Sequence, residues 1–372
     1  MSESMWVACQ LTLGLACLVG GGELLVRGAV AIAATLRISP LVIGLTVVAF
    51  GTSAPELGVS LQAAMSGNAD VAVGNVVGSN IINVLFILGA ASIITPLVVS
   101  SQLVRLDVPV MIVSSITVWF MASDGSISRG EGLLLFGSLI AYITYCIRKS
   151  RSENRNAKPE FAEDFPHRPE LEKGLSTQQS LLLNVAFVVG GLVLLGLGSK
   201  WLVGGATTIA TALGVSQLVI GLTIVAIGTS LPEVVTSIVA SYRGERDIAV
   251  GNVVGSNMFN LLCVLGLTAT VSPAGVNVAS SAIQFDIPVM VAVAVICLPV
   301  FMDGNIIRRW EGALFLLYYA TYNAFVVFTA KNPLSPPRAS LLLTWVVVPL
   351  TVVPVIVSIV TRRKKRRSKK TS

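Results

Sequence analysis

The octapeptide "AFGTSAPE" (residues 49–56) lies inside the apolar stretch from Leu41 to Ala64. Glycine, proline and a carboxylate are all unfavourable in a helix that crosses hydrocarbon, because proline removes a backbone hydrogen bond and a charge is costly to insert. A near-identical octapeptide, "AIGTSLPE", occupies residues 226–233, again inside an apolar stretch. An unfavourable sequence that occurs twice in the same setting indicates a functional element.

Composition identifies the class of protein. The 372 residues are 54% hydrophobic and only 12% charged, which is too little charge to cover a soluble domain of this length. Apolar runs long enough to span a bilayer recur along the chain. The eleven predicted spans lie near residues 6–34, 40–65, 71–98, 106–122, 131–148, 180–210, 216–241, 248–271, 286–302, 310–330 and 341–361. The sequence therefore predicts an all-α polytopic membrane protein.

The distribution of Lys and Arg predicts the orientation of these spans. With an external N-terminus, the cytoplasmic connections hold 22 of the 26 Lys and Arg residues, and the external connections hold 4. Because cytoplasmic loops carry the excess of Lys and Arg, we expect the N-terminus outside and the C-terminus in the cytoplasm. The run "TRRKKRRSKK" (361–370) accounts for the net charge of +7. Because this run directly follows an apolar span, we predict that it anchors the chain on the cytoplasmic side, beside membrane lipid, and does not bind nucleic acid.

The two octapeptides belong to a longer internal repeat. Residues 39–89 align without gaps with residues 216–266, and 31 of the 51 aligned positions are identical, including the run "AVGNVVGSN". The first copy starts in the second predicted span and the other copy starts in the seventh. The two copies are therefore five spans apart, an odd number, so they cross the membrane in opposite directions. Inverted repeats are typical of secondary transporters, whose site lies near the midplane where interrupted helices meet.

The repeat divides the chain into two halves of five spans each, followed by one extra C-terminal helix. We expect a first transmembrane repeat at 1–148, a cytoplasmic linker at 149–179, a second, inverted repeat at 180–330, and the extra helix with its basic tail at 331–372. The linker is polar and charged, which is typical of a flexible connection.

The interruptions in the two repeats are predicted to expose backbone oxygens. Pro55 and Pro232 have no N–H, so the carbonyls near Gly51–Thr52 and Gly228–Thr229 are expected to lose their helical partners. At membrane depth, such carbonyls are tolerated only where they are buried in protein or line a cavity. A free carbonyl is also a hard oxygen ligand for a cation.

Side chains near the interruptions add further oxygen ligands. Glu56 and Glu233 are intramembrane carboxylates, which are functional by default because inserting one costs about 2.5–3.5 kcal/mol. Thr52 and Glu56 share a helix face, as do Ser79 and Asn83. The second copy repeats this arrangement with Thr229, Glu233, Ser256 and Asn260. A set of oxygen ligands alone suits Ca²⁺ or Na⁺ and does not suit zinc or copper.

Other residues argue against an enzyme or a redox protein. The cysteines lie in or at the ends of apolar spans without C-x-x-C spacing, and His167 is the only histidine. We find no nucleophile–base pair, phosphate loop or cofactor motif in the sequence. Asp107 and Asp286 come shortly before prolines at helix starts, so we predict that they cap helices. Ser128 and Glu131 have the spacing of a capping box.

The motifs "GTSAPE…GNVVGSNIIN" and "GTSLPE…GNVVGSNMFN" resemble those of the cation/Ca²⁺ exchanger superfamily, in particular the bacterial type of sodium/calcium exchanger. The resemblance covers residues 1 to about 330. It implies a Ca²⁺ site between the repeats, flanked by Na⁺ sites, with alternating access by sliding of the first and sixth spans. It also implies a monomer in a bacterial plasma (inner) membrane, with Ca²⁺ and Na⁺ as transported ions and no cofactor.

The resemblance also assigns ligands by position. Ca²⁺ would be held by the carboxylates of Glu56 and Glu233 and by the carbonyls of Thr52 and Thr229. Na⁺ would use four serines and two alanine carbonyls, and two asparagines would complete the centre: Ser53, Ser230, Ser79, Ser256, Ala49, Ala226, Asn83 and Asn260. Potassium-dependent members carry Asp at one of the two asparagine positions. Both residues are Asn here, which argues against K⁺ co-transport.

The sequence thus predicts an antiporter that exchanges Ca²⁺ for Na⁺. The alternative in the same fold is an H⁺/Ca²⁺ exchanger, because Glu56 and Glu233 could carry protons. The proton-coupled branch resembles "GNATE"-type motifs instead of "GTSxPE", which favours Na⁺. A cation channel is a third interpretation, but two interrupted helices that face opposite ways favour alternating access.

Overall fold

The protein is almost entirely helical in the residues described by its computed structural model, which are 3–36, 38–67, 69–156, 176–215, 220, 224 and 226–331. Within these residues, eight helices are long and apolar enough to cross a membrane. A bent pair of shorter helices makes a ninth candidate span. The predicted all-α polytopic class is therefore confirmed, and the chain is a multi-pass membrane protein.

The first half contains eight α-helices, which form the five spans predicted there. They are α1 (Glu3–Leu36), α2 (Pro40–Ile43), α3 (Ala49–Thr52), α4 (Ala54–Met65), α5 (Ala69–Ile82), α6 (Gly89–Ile94), α7 (Val108–Met121) and α8 (Arg129–Asn156). Three π-helical segments connect or precede helices within these spans, at Gly44–Val48, Asn83–Leu88 and Leu103–Asp107. The last helix, α8, continues past residue 148 into the predicted linker.

The second half repeats much of this order. Its helices are α9 (Thr177–Ala212), α10 (Ala226–Thr229), α11 (Leu231–Tyr242), α12 (Arg246–Met258), α13 (Leu265–Val271), α14 (Ile287–Met302) and α15 (Arg309–Lys331). Phe259–Val264 and Ala282–Asp286 are π-helical. The predicted seventh span, 216–241, is described mainly from α10 onward. The predicted eleventh span, 341–361, lies outside the described residues.

Both predicted interruptions are present. The second span bends by 44° between its two helical segments, Pro40–Thr52 and Ala54–Met65. Ser53 lies at the break, with φ −82° and ψ 5°. Ser230 has almost the same backbone angles, φ −89° and ψ 6°, between α10 and α11. Pro55 and Pro232 lie in the first turn of the following helix, a position that proline favours because its fixed φ and missing N–H suit a helix start. Each helix therefore stops and restarts one turn before its glutamate.

Two short antiparallel strand pairs join loops of the two halves. β1 (Leu97–Val98) pairs with β4 (Ile306–Ile307), and β2 (Ser126–Ile127) pairs with β3 (Val276–Asn277). Each pair contains one strand from each half. Strand β1 is equivalent to β3 and β2 is equivalent to β4, so the two pairs are related by the same symmetry that relates the halves. The described residues thus follow an approximate two-fold relation.

The spans that carry "AVGNVVGSN" form the centre of the molecule. Every residue from Ile248 to Gly266 is buried within the protein, and Val71–Ile94 is largely buried. Most of Arg129–Ser152, Thr177–Ala212 and Arg309–Phe328 is not buried within the protein. Their exposed apolar side chains, such as Leu133, Leu182 and Leu317, are compatible with a lipid environment.

Helices α1 and α9 pack closely along their glycines. A Cβ atom at Gly21 would lie 2.8 Å from the Gly191 carbonyl oxygen, and one at Gly198 would lie 2.7 Å from the Gly14 carbonyl oxygen. Real Cβ atoms do not approach backbone this closely, so only glycine permits the observed helix separation. The first and sixth spans therefore contact each other through their backbones.

Candidate functional site

The two intramembrane glutamates lie at the helix interruptions and are completely buried. Ser53 Oγ, in the first half, donates a hydrogen bond of 3.1 Å to Glu233 Oε1 in the second. Ser230 Oγ donates a bond of 3.2 Å to Glu56 Oε1 in the opposite direction. The serine at each break thus binds the carboxylate of the other half, and this brings both predicted acids to one place.

Four buried oxygen atoms of the predicted site residues have no hydrogen-bond donor among the described residues. They are Glu56 Oε2, Glu233 Oε2, Asn83 Oδ1 and Asn260 Oδ1. A buried acceptor without a partner costs about 1–3 kcal/mol, and more when it carries charge. The ion pairs formed within the described ranges involve neither glutamate. The centre is therefore rich in acceptors, and no Lys or Arg of the described residues forms an ion pair with its carboxylates.

The predicted hydroxyl and carbonyl ligands surround the same centre. Ser230 Oγ lies 3.3 Å from Ser79 Oγ, and Thr52 Oγ1 lies 3.5 Å from Ser256 Oγ. The side chains of Thr52, Ser79 and Ser256 are almost completely buried. The Ala49 carbonyl accepts a bond of 3.0 Å from the Ser53 N–H.

The equivalent positions in the second half are described in less detail. Thr229 ends α10 and is half-buried, and Ala226 begins the same helix. Within the described part of the chain, no group of three or more His, Cys, Asp or Glu residues could hold a metal ion. A cation at this centre would therefore be bound by the two carboxylates together with amide, hydroxyl and carbonyl oxygens.

Four asparagines link the two halves by hydrogen bonds. Asn83 Nδ2 donates to Asn257 Oδ1 at 3.0 Å, and Asn260 Nδ2 donates to Asn80 Oδ1 at 3.2 Å. Asn83 begins one π-helical segment and Asn260 lies within another, and such segments are frequent at functional sites. The predicted residues Asn83 and Asn260 therefore use their amide N–H groups across the interface and leave their oxygens available.

Two further asparagines contact the glutamates and were not predicted as site residues. Asn75 Nδ2 donates to the Glu56 carbonyl at 3.2 Å, and Asn252 Nδ2 donates to the Glu233 carbonyl at 3.4 Å. Both lie in the duplicated run "AVGNVVGSN". A polar side chain that occurs twice inside an apolar span is the signal that could have identified them.

The predicted loss of a helical partner is observed at Gly228. Its carbonyl would normally pair with the N–H of residue 232, which is proline. It accepts instead a hydrogen bond of 2.5 Å from Ser199 Oγ on α9. The position equivalent to Ser199 in the first half is Gly22, which has no hydroxyl.

The prediction that Asp107 and Asp286 cap helices is wrong. Neither side chain makes a capping bond, because each residue ends a π-helical segment that continues directly into the next helix. Tyr142 donates its hydroxyl to Asp107 Oδ1 at 2.8 Å, and Tyr322 donates to Asp286 Oδ1 at 3.0 Å. These aspartates tie neighbouring spans together.

The predicted capping box at the start of α8 is confirmed. The Glu131 N–H donates to Ser128 Oγ at 3.3 Å, and the Ser128 N–H donates to Glu131 Oε2 at 2.8 Å. These two bonds satisfy backbone N–H groups that have no partner within the helix.

The chain is similar in sequence to known proteins. The protein "Sodium/calcium exchanger MaX1" of Methanosarcina acetivorans is 33% identical over 344 residues, which cover 84% of this chain and 96% of that protein. "Inner membrane protein YrbG" of Escherichia coli is 35% identical over 289 residues, covering 77% and 87% of the two chains.

A solved structure and a family model extend the comparison. The structure of the sodium/calcium exchanger from Methanococcus jannaschii matches with a TM-score of 0.72 and 28% identity, and covers 86% of this chain and 98% of that one. The family model described as "Sodium/calcium exchanger protein" matches residues 6–148 and 183–328, which lie in both halves. The chain therefore belongs to the sodium/calcium exchanger protein family.

Proposed function

We propose that this chain is a secondary active antiporter that exchanges Ca²⁺ for Na⁺ across a membrane by alternating access. The observation that carries the proposal is the set of four buried acceptors without a donor in the described residues, two from each half: Glu56 Oε2, Glu233 Oε2, Asn83 Oδ1 and Asn260 Oδ1. Ca²⁺ and Na⁺ are hard cations that bind such oxygens. A cation at this position supplies the favourable contact that these atoms otherwise lack.

The ligands proposed for each ion are those that the family resemblance assigns by position in the sequence. Glu56 and Glu233, with the carbonyls of Thr52 and Thr229, bind Ca²⁺. Ser53, Ser230, Ser79 and Ser256 bind Na⁺, together with the carbonyls of Ala49 and Ala226. The Ser53–Glu233 and Ser230–Glu56 hydrogen bonds support this proposal because each joins a proposed Na⁺ ligand to a proposed Ca²⁺ ligand.

Exchange follows from the sharing of two carboxylates. When both glutamates are ionised, one Ca²⁺ balances their charge, and Na⁺ competes for the same oxygens. One cargo can then leave only as the other enters. If three Na⁺ move for each Ca²⁺, every cycle carries net charge, and the membrane potential contributes about 2.3 kcal/mol per charge per 100 mV.

Alternating access is supported by two features of the fold. The interrupted helices α3–α4 and α10–α11 belong to halves that cross the membrane in opposite directions, which is the arrangement of transporters with inverted repeats. The first and sixth spans contact each other through glycine backbones at Gly14, Gly21, Gly191 and Gly198. This close contact supports their sliding as one unit past the centre.

The proposed orientation has the N-terminus outside and the C-terminus in the cytoplasm. The relative YrbG is named as an inner membrane protein, which supports a bacterial plasma membrane location. A reporter fused after Ser372 should be active only in the cytoplasm, and a tag before Ser2 should be accessible only from outside. An external C-terminus would contradict the prediction made from Lys and Arg.

Ion flux into liposomes tests the proposal directly. The full chain is reconstituted, and Ca²⁺ uptake is measured with an outward Na⁺ gradient, with an outward proton gradient, or with neither. Uptake should require Na⁺ and should respond to a clamped potential if three Na⁺ move. Uptake driven by protons without Na⁺ would favour the H⁺/Ca²⁺ alternative. Uptake that needs neither gradient and follows the Ca²⁺ gradient alone would indicate a channel.

A further inference from the structure

Two asparagines outside the proposed ligand set hold the backbone of the two glutamates. We propose that Asn75 and Asn252 are positioning residues for ion exchange, which act on the ion through Glu56 and Glu233 and fix the spacing of the two carboxylates. This inference rests on the proposed function and deepens it, because it assigns cation selectivity to residues that do not bind the cation.

The backbone around each glutamate needs this support because it follows a break in the helix. Helix α4 begins at Ala54, so Glu56 lies in its first turn. The N–H groups of a first turn have no helical partners, and Pro55 has no N–H at all. The bond of 3.2 Å from Asn75 Nδ2 to the Glu56 carbonyl ties this turn to the neighbouring helix α5. Asn252, on α12, makes the equivalent bond of 3.4 Å to Glu233 at the start of α11.

Each asparagine also holds a second point on the same helix. Asn75 Nδ2 donates to Ser60 Oγ at 3.0 Å, and Asn252 Nδ2 donates to Ser237 Oγ at 2.9 Å. Both serines lie one turn after their glutamate. Two attachment points one turn apart restrict the rotation of the helix as well as its distance from the neighbouring helix. The direction of each carboxylate is therefore set by the asparagine.

Asn252 extends this support to the other half of the molecule. Its Oδ1 accepts a hydrogen bond of 3.1 Å from Thr52 Oγ1. Thr52 belongs to the first break, and its carbonyl is a proposed Ca²⁺ ligand. One buried carboxamide therefore connects the backbone of Glu233 with the side chain of Thr52. A displacement of Asn252 would move ligands in both halves.

Cation selectivity is the property that this arrangement controls. Selectivity among hard cations depends on cavity size and on the rigidity of the ligands. Groups that orient metal ligands without binding the metal typically change metal affinity by about 10–100-fold when they are removed. Loosening the two glutamates should therefore weaken Ca²⁺ binding and also admit larger cations more readily.

The experiment compares Asn75→Ala and Asn252→Ala with the unmodified chain in liposomes. Na⁺-driven uptake is measured for Ca²⁺, Sr²⁺ and Ba²⁺. We expect the KM for Ca²⁺ to rise about tenfold or more, as for other supports of metal ligands. The ratio of Ca²⁺ to Ba²⁺ uptake should fall with it. This ratio does not depend on how much folded protein enters the liposomes, and the less buried Asn75 provides a second test if Asn252→Ala folds poorly.

Two controls separate positioning from packing. Asn184→Ala removes another buried asparagine, whose Nδ2 donates to Ser180 Oγ at 3.4 Å along its own helix. It should leave the uptake ratio unchanged. Ser60→Ala and Ser237→Ala remove the second acceptor but keep the bond to the glutamate carbonyl. These variants lose one of the two attachment points, so they should change the ratio less than the asparagine variants, which lose both.

The outcomes distinguish this inference from the proposed function. A normal Ca²⁺-to-Ba²⁺ ratio in both asparagine variants overturns the inference, as does an equal change in Asn184→Ala or in the serine variants. If the unmodified chain shows no Na⁺-driven Ca²⁺ uptake, the proposed function fails. Calorimetric binding of Ca²⁺ and Ba²⁺ to the purified full chain then still tests the positioning role.

Discussion

The centre of the molecule and its edge follow the two-fold relation of the halves to different degrees. At the centre, the bond from Ser53 to Glu233 is repeated by the bond from Ser230 to Glu56, with lengths of 3.1 and 3.2 Å. At the edge, Arg243 on the loop after α11 donates to Glu23 on α1 at 2.8 Å. In the opposite half, Ser66 is equivalent to Arg243 and Lys200 is equivalent to Glu23, and these two residues cannot form an ion pair with each other.

This difference reflects what each region does. In the proposed exchange, an ion bound between the halves is reached and released from either side of the membrane, so the same ligands from both halves are an advantage at the centre. The ends of the spans face two different compartments and need not match. The comparison predicts that equivalent substitutions have equal effects at the centre and unequal effects at the edge.

The largest effect is expected from the glutamates. Glu56→Gln and Glu233→Gln should each abolish Ca²⁺ exchange, because each removes one of two charges beside a divalent cation and loses several kcal/mol of attraction. Expression should change little, since glutamine retains the size of the side chain. Radioactive Ca²⁺ uptake into liposomes measures the loss.

Glu131→Gln is the matched control, since glutamine also functions in a capping box, and it should transport normally. Strong loss in one glutamate variant with normal flux in the other would contradict the functional equivalence of the halves at the centre.

An intermediate effect is expected from Ser199→Ala. This change leaves the Gly228 carbonyl without its donor, and an unsatisfied buried acceptor costs about 1–3 kcal/mol. For a chain of this size, the midpoint of thermal unfolding in detergent should fall by roughly 1–2 °C per kcal/mol. Ser138→Ala removes an exposed hydroxyl that bonds only within its own helix at Leu134, and should not lower the midpoint. Equal midpoints for the two variants would show that the bond to Gly228 contributes nothing.

The smallest effect is expected from the ion pair at the edge. Glu23→Gln or Arg243→Gln should change the exchange rate by less than about fivefold, because exposed ion pairs contribute about 0–1 kcal/mol. The KM for Ca²⁺ and the preference for Ca²⁺ over Ba²⁺ should stay unchanged, since neither residue contacts the centre. Lys200→Gln, at the position equivalent to Glu23, should leave the rate unaltered. A loss of transport as complete as that of the glutamate variants would mean that the edge is part of the ion site.

The sequence allowed much of the centre to be predicted, because the repeat places each unusual residue in two equivalent contexts. The interruptions at Ser53 and Ser230 follow from proline chemistry alone. The spans follow from apolar length, which backbone hydrogen bonding in lipid makes a strong constraint. These rules act locally, so they can be applied without knowing which helices are neighbours.

The partners of individual polar side chains could not be predicted in the same way. Asp107 has the sequence context of a cap, yet it binds Tyr142 on another span because the preceding π-helical turn leaves no free N–H. Asn252 could equally have bonded along its own helix, as Asn184 does. Which choice is made depends on helix packing, and the spacing of residues in one chain carries no information about it.

The paired strands and paired hydrogen bonds have a consequence for the origin of the chain. These contacts are reciprocal. Asn83 of the first half bonds Asn257 of the second, and the equivalent residues, Asn260 and Asn80, bond each other in the same way. This reciprocity defines an isologous interface, the kind that joins two identical subunits. The single chain thus contains within itself an interface of the kind found in a homodimer. Because the two halves have separate sequences, each can change alone: Ser199 occupies the position equivalent to Gly22, a difference that two identical subunits could not show.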